Sequence, residues 1–142
     1  MYKNHDYLLS LYYRIADTVV LNIAFGLGVY LRFYSVSSFE FQSQPSFDLI
    51  KSNYIGLLLF INVSWFFISN SQKIYNLQHF TSKNRYVFAV VSAIVLQLLI
   101  TVAFNGLIKT FYSRIFLLYT YISFSVFLFI GRRLISFVYL KR

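Results

Sequence analysis

The 142-residue chain has no cysteine. That removes disulfides, thiolate zinc sites and cysteine nucleophiles, and it leaves the redox compartment unreadable. There is one proline, Pro45, and it falls between apolar stretches rather than inside one. The five glycines are dispersed, so no glycine-rich phosphate loop can be built. Two histidines, His5 and His79, have no second ligand at metal spacing. Charge is scarce at 12% of residues, where a soluble domain carries about 25%. Acid is scarcer still: 4 Asp and Glu stand against 13 Lys and Arg, a formal net charge of +9.

In place of charge there is hydrocarbon. Hydrophobic residues make up 58% and aromatics 22%, from 17 Phe, 13 Tyr and one Trp. Mean hydropathy is +0.63. Four apolar stretches run over 11–31, 54–69, 86–108 and 115–130. A bilayer core of about 30 Å needs about 20 helical residues. The first and third stretches reach that directly. The second extends back through Leu49 and Ile50 if Lys51 snorkels to the surface. The fourth continues past Arg132 and Arg133 through 134–140, a piece that lies in the inner interface or projects as helix beyond it. The first stretch is too long for a signal-peptide core and ends in Leu31-Arg32-Phe33-Tyr34 rather than small residues. These features predict an all-α integral membrane four-helix bundle. It forms a single transmembrane domain over 1–142, with helices near 11–31, 49–69, 86–108 and 115–140 and no soluble domain.

Orientation follows from the basic residues. Nine (Lys3, Arg14, Lys73, Lys83, Arg85, Arg132, Arg133, Lys141, Arg142) lie on the side of the termini and the 2–3 loop. Four (Arg32, Lys51, Lys109, Arg114) lie on the other, together with Glu40 and Asp48. The expectation is N-in/C-in, with both termini cytoplasmic. The positive charge then faces anionic lipid headgroups and no nucleic acid.

Asp17 is the only carboxylate inside an apolar stretch. An intramembrane acid costs several kcal/mol unless compensated, and it raises the possibility of a proton or cation site. The preferred reading is a local pair with Arg14, three residues earlier on the same face and near the headgroups. Asn22, Asn62 and Gln97 lie deeper and are read as hydrogen-bonding glue between helices. Gly26 and Gly28 form no GxxxG face but permit one close helix approach, and Trp65 anchors or packs helix 2. In the short turn 109–113, Ser113 is placed to cap helix 4 through its hydroxyl. No Ser/His/Asp set can be gathered on one side of the membrane.

Several segments in order carry a resemblance. Helix 1 reads Arg14-x-x-Asp17 at one end and Leu31-Arg32-Phe33 at the other. Helix 2 and its exit read Asn62-Val63-Ser64-Trp65-Phe66-Phe67-Ile68-Ser69, then Lys73-Ile74-Tyr75-Asn76. The outer turn reads Lys109-Thr110-Phe111-Tyr112-Ser113-Arg114, and helix 4 closes on Arg132-Arg133. The chain resembles the N-terminal membrane region of the bacterial polyisoprenyl-phosphate hexose-1-phosphate transferases, in particular the undecaprenyl-phosphate glucose phosphotransferases that start capsule and exopolysaccharide synthesis. It departs at Asn76, where a basic residue more often follows the Tyr.

The resemblance implies a bacterial inner-membrane, multi-pass anchor. Its candidate partners are the bilayer, polyprenyl phosphate and a second copy of the chain. Catalysis, with its Asp-Glu pair and magnesium, belongs to a later domain that these residues do not include. The chain alone is therefore expected to be non-catalytic and without cofactor. Ser113 and Arg114 match an outer Ser-Arg that caps and anchors helix 4 rather than reacting. Two further readings stand beside this one. The first is the similar four-helix anchor of a membrane nucleotide-sugar dehydratase or epimerase. The second is a self-contained small transporter or flippase accessory, which would put its acid nearer mid-helix.

Overall fold

In lipid a backbone N–H or C=O finds no water, so an apolar segment must satisfy its polar groups internally. Proline-free apolar sequence of this length does so as helix. The computed structural model describes residues 2–32, 47–75, 83–108 and 114–140. Among them are four helices: α1 Tyr2–Tyr30, α2 Phe47–Ser71, α3 Lys83–Ile108 and α4 Arg114–Leu140. With 25 to 29 residues each, they rise roughly 37–44 Å and exceed the hydrocarbon core. α1 begins at Tyr2, well before the apolar stretch, because nothing between Tyr2 and Leu11 breaks a helix.

Each helix runs antiparallel to its neighbours. Asp17 meets Arg132 while Gly28 lies against Thr120, so α1 and α4 run opposite ways. Phe60 stacks on Phe104 at 3.7 Å while Gln72 meets Ser92, which fixes α2 against α3. α1 packs most extensively on α4, and α2 on α3. The interior is filled by Leu21, Leu57, Ile61, Val90, Phe116 and Phe124. Phe116 receives the edges of Phe25 and Tyr54 at 5.2 and 4.9 Å, and Trp65 is buried edge-on to Phe124 at 4.9 Å.

The outward faces are apolar too. Ile15, Val19 and Ile23 on α1, Val91, Val95 and Leu99 on α3, and Leu118, Ile122, Val126 and Ile130 on α4 point away from the bundle at helical spacing. A bundle apolar both inside and outside has hydrocarbon as its solvent. The protein is a multi-pass membrane protein built as an all-α four-helix bundle.

Polar side chains inside the spans are used between helices. Asn22 and Asn62 exchange reciprocal amide hydrogen bonds at 3.0 and 3.2 Å, joining α1 to α2. Gln97 donates to the carbonyl of Ile61 at 3.1 Å and to Ser64 Oγ at 2.8 Å, joining α3 to α2. The hydroxyls of Thr101 and Tyr121 meet at 2.6 Å, joining α3 to α4. Asn62→Leu is expected to cost about 0.6 kcal/mol, with ~1.7 as the ceiling for such a bond. Adding Asn22→Leu should recover most of it, because no amide is then left half-paired. Equilibrium unfolding of the two single variants and the double variant in micelles measures the coupling. Strictly additive losses would show that the two amides do not act as a pair.

Candidate functional site

The buried stripe of α1 runs Tyr13, Asp17, Leu21, Ala24, Gly28, and that of α4 runs Phe116, Thr120, Phe124, Leu128, Arg132. Because the helices are antiparallel, Asp17 and Arg132 arrive at the same level on facing stripes. Arg132 lies 18 residues beyond Arg114, roughly 27 Å along α4, so the pair sits near one edge of the hydrocarbon core.

Asp17 therefore pairs with Arg132 and not, as its sequence neighbourhood suggests, with Arg14. Arg132 donates from Nε to Asp17 Oδ1 at 3.2 Å and from Nη2 to Oδ2, a two-point contact suited to the planar guanidinium. The short Asp side chain lies on the stripe facing α4, and it cannot turn to a residue on the rim. Arg14 is on that rim, half-buried, with its guanidinium 5.1 Å over the ring of Tyr75.

Tyrosines complete the centre. Tyr75 donates its hydroxyl to Asp17 Oδ2 at 3.0 Å, and Arg132 Nη1 donates to the hydroxyl of Tyr86 at 2.6 Å. The guanidinium also lies 5.6–5.9 Å from the ring centres of Tyr13, Tyr75 and Tyr86. Burial, with the Asp17 carboxylate beside it, pushes the Tyr75 phenol well above its ordinary range, so it stays a donor. Every helix contributes: α1 gives Asp17 and Tyr13, the exit of α2 gives Tyr75, α3 gives Tyr86 and α4 gives Arg132. Two buried charges lose several kcal/mol each in hydration, and only dense pairing of this kind offsets that.

Tyr75 reaches the centre because α2 ends abruptly. The N–H of Ile74 bonds the carbonyl of Ser69 at 3.4 Å, and the N–H of Lys73 bonds that of Asn70 at 3.2 Å. This is a Schellman closure with Lys73 in the left-handed region at φ 49°. A non-glycine residue there gives up roughly 1–2 kcal/mol. Ile74 is buried, and it turns the chain so that Tyr75 points back under α1.

Of the other residues singled out in the sequence, Ser113 lies outside the described residues. Arg114 opens α4, exposed, at the mouth of an apolar groove of about 790 Å³ between α3 and α4. Arg114 does not join the Asp17 centre. Tyr13, Tyr75, Tyr86 and the inward role of Arg132 were not anticipated. The four-residue steps from Phe116 to Arg132 carried that last signal.

Among the described residues no group of three His, Cys, Asp or Glu could hold a metal ion. The carboxylate is matched by a cation and by the Tyr75 hydroxyl as donor, and the Tyr86 hydroxyl accepts from that cation, so the groups clamp one another. No family model, curated protein or solved structure matches the chain.

Proposed function

We propose that the bundle is the membrane anchor of a polyisoprenyl-phosphate hexose-1-phosphate transferase, in the bacterial inner membrane with both termini cytoplasmic. The observation that carries this reading is convergence. Arg14, Asp17, Tyr75 and Arg132 belong to three separate segments of the resemblance, and all lie in or against one centre. A likeness arising from aromatic-rich composition alone has no reason to place its matched residues together. The same centre argues for an anchoring role. Its polar groups are consumed in joining four helices at the end where α4 leaves the bundle, and a rigid exit there suits a protein that holds a catalytic domain at the membrane face. The Arg132 pairing also leaves Asp17 poorly suited to proton-coupled transport, since its charge already has a partner.

The direct test is activity. Purified with undecaprenyl phosphate, nucleotide sugar and magnesium, these 142 residues are expected to transfer no sugar phosphate. A protein in which a sugar-transferase domain follows them is expected to do so. Robust turnover by the bundle alone would overturn the anchor reading. Orientation is tested separately, and the lack of native cysteine makes it simple. In intact cells a membrane-impermeant maleimide should label Arg114→Cys and spare Arg133→Cys until the membrane is opened. The reverse pattern would invert the topology.

A further inference from the structure

Beside the Asp17 centre, at the same end of the bundle, a polar cavity of about 200 Å³ opens between α1 and the exit of α2. It is lined by Ser10, Arg14, Ser69, Asn70, Lys73 and Tyr75. Two of these are cations and none is an acid. Asp17, whose partner Tyr75 lines the cavity, is already bound by Arg132 and Tyr75. Among the described residues no carboxylate pairs with Arg14 or Lys73, and the side chains of Ser10 and Asn70 make no hydrogen bond. The described lining therefore gathers two cations with neutral hydrogen-bonding groups around them and no acid. Arg14 is held over the Tyr75 ring, and the Schellman closure sets the backbone of Lys73, an exposed residue, at a left-handed position that favours glycine.

We propose that this cavity binds a phosphate group, with Arg14 and Lys73 as its charged donors and Ser10 and Asn70 completing the shell. The group belongs either to an anionic phospholipid at the headgroup level or to a soluble phosphate. The chemistry of recognition is the same: two cations and neutral donors around a tetrahedral oxyanion. The site is independent of which face of the membrane the end occupies.

The test uses the full chain in nanodiscs. One arm titrates inorganic phosphate into phosphatidylcholine discs, followed by ³¹P NMR. The other dopes the discs with phosphatidylglycerol and measures the lipid retained by native mass spectrometry. Saturable binding in at least one arm is expected. Retention of phosphatidylglycerol without binding of free phosphate assigns the lipid headgroup, and saturable inorganic phosphate assigns a soluble source.

Lys73→Gly removes the ammonium while suiting the left-handed backbone, so it should fold at least as well as wild type. It should weaken binding roughly tenfold or more, the loss of one charge-assisted hydrogen bond. Arg14→Gln should do likewise. Arg133→Gln, an exposed cation on α4 outside the cavity, should change affinity by no more than about twofold, as a screened surface charge does. Absence of saturable binding in both arms, or equal weakening by Arg133→Gln and Lys73→Gly, would overturn the proposal.

Discussion

Replacing Asp17 by asparagine is expected to cost the bundle roughly 3–5 kcal/mol. The substitution keeps the shape of the side chain and one acceptor for Tyr75, but it strands the guanidinium of Arg132. That group is 5% exposed and can reach water only by pulling away from Tyr13, Tyr75 and Tyr86. Arg132→Gln should be comparably severe, since it leaves a carboxylate that is 2% exposed without its cation. Removing both charges together, as Asp17→Leu with Arg132→Met, should return most of the loss. A buried pair is only weakly stabilising against apolar residues of similar volume, whereas half a pair is strongly destabilising. Equilibrium unfolding in micelles, arranged as a double-mutant cycle, reads the coupling directly. Arg14→Gln belongs in the same series. If Arg14→Gln cost as much as Arg132→Gln, the partner of the carboxylate would be the local arginine.

That contrast shows what the chain disclosed about itself and what it withheld. Four spans and a helical bundle were legible because apolar runs near twenty residues have few other folds open to them. The interhelical use of Asn22, Asn62 and Gln97 was legible because an amide in hydrocarbon must find a partner. Pairing Asp17 with Arg14 applied a rule for exposed helix faces to a residue on a buried one. Arg132 was hidden by its neighbour: Arg132-Arg133 reads as a surface anchor, yet the rotation of about 100° between successive helical residues puts the first on the buried stripe and leaves the second exposed. Which helix packs on which could not be read. When outward residues such as Leu99 and Phe67 are as apolar as inward ones, periodicity no longer distinguishes core from surface. Tyr75 lies beyond the apolar stretch, and only the left-handed turn at Lys73 brings it under α1. No local pattern announces that turn, because the residue there is not glycine.

Gly28→Ala is expected to cost about 1–3 kcal/mol, although it adds a single methyl to a helix that intrinsically prefers alanine. The reason is the closeness of α1 to α4. A Cβ at Gly28 would collide with Thr120 Oγ1, and it would stand 3.2 Å from Thr120 Cβ and 3.3 Å from Phe116 Cε2. Neither neighbour can give way freely. Thr120 is β-branched and fully buried, and Phe116 is wedged between Phe25 and Tyr54. Gly26, two residues earlier, faces open space, so Gly26→Ala should be neutral or stabilising by the helix-propensity gain of up to about 1 kcal/mol. The pair of variants separates packing from propensity within one turn of one helix. Thr120→Ala in the Gly28→Ala background should restore part of the loss by removing the colliding hydroxyl, which has no hydrogen-bond partner among the described residues. In lipid, displaced apolar surface meets hydrocarbon instead of water, so nearly all of the effect is lost contact between α1 and α4. The same displacement should loosen the Asp17–Arg132 centre further along that interface. Thermal unfolding in micelles would register it as a larger drop for Gly28→Ala than for Gly26→Ala, and equal behaviour of the two would mean that α1 and α4 do not meet closely at Gly28.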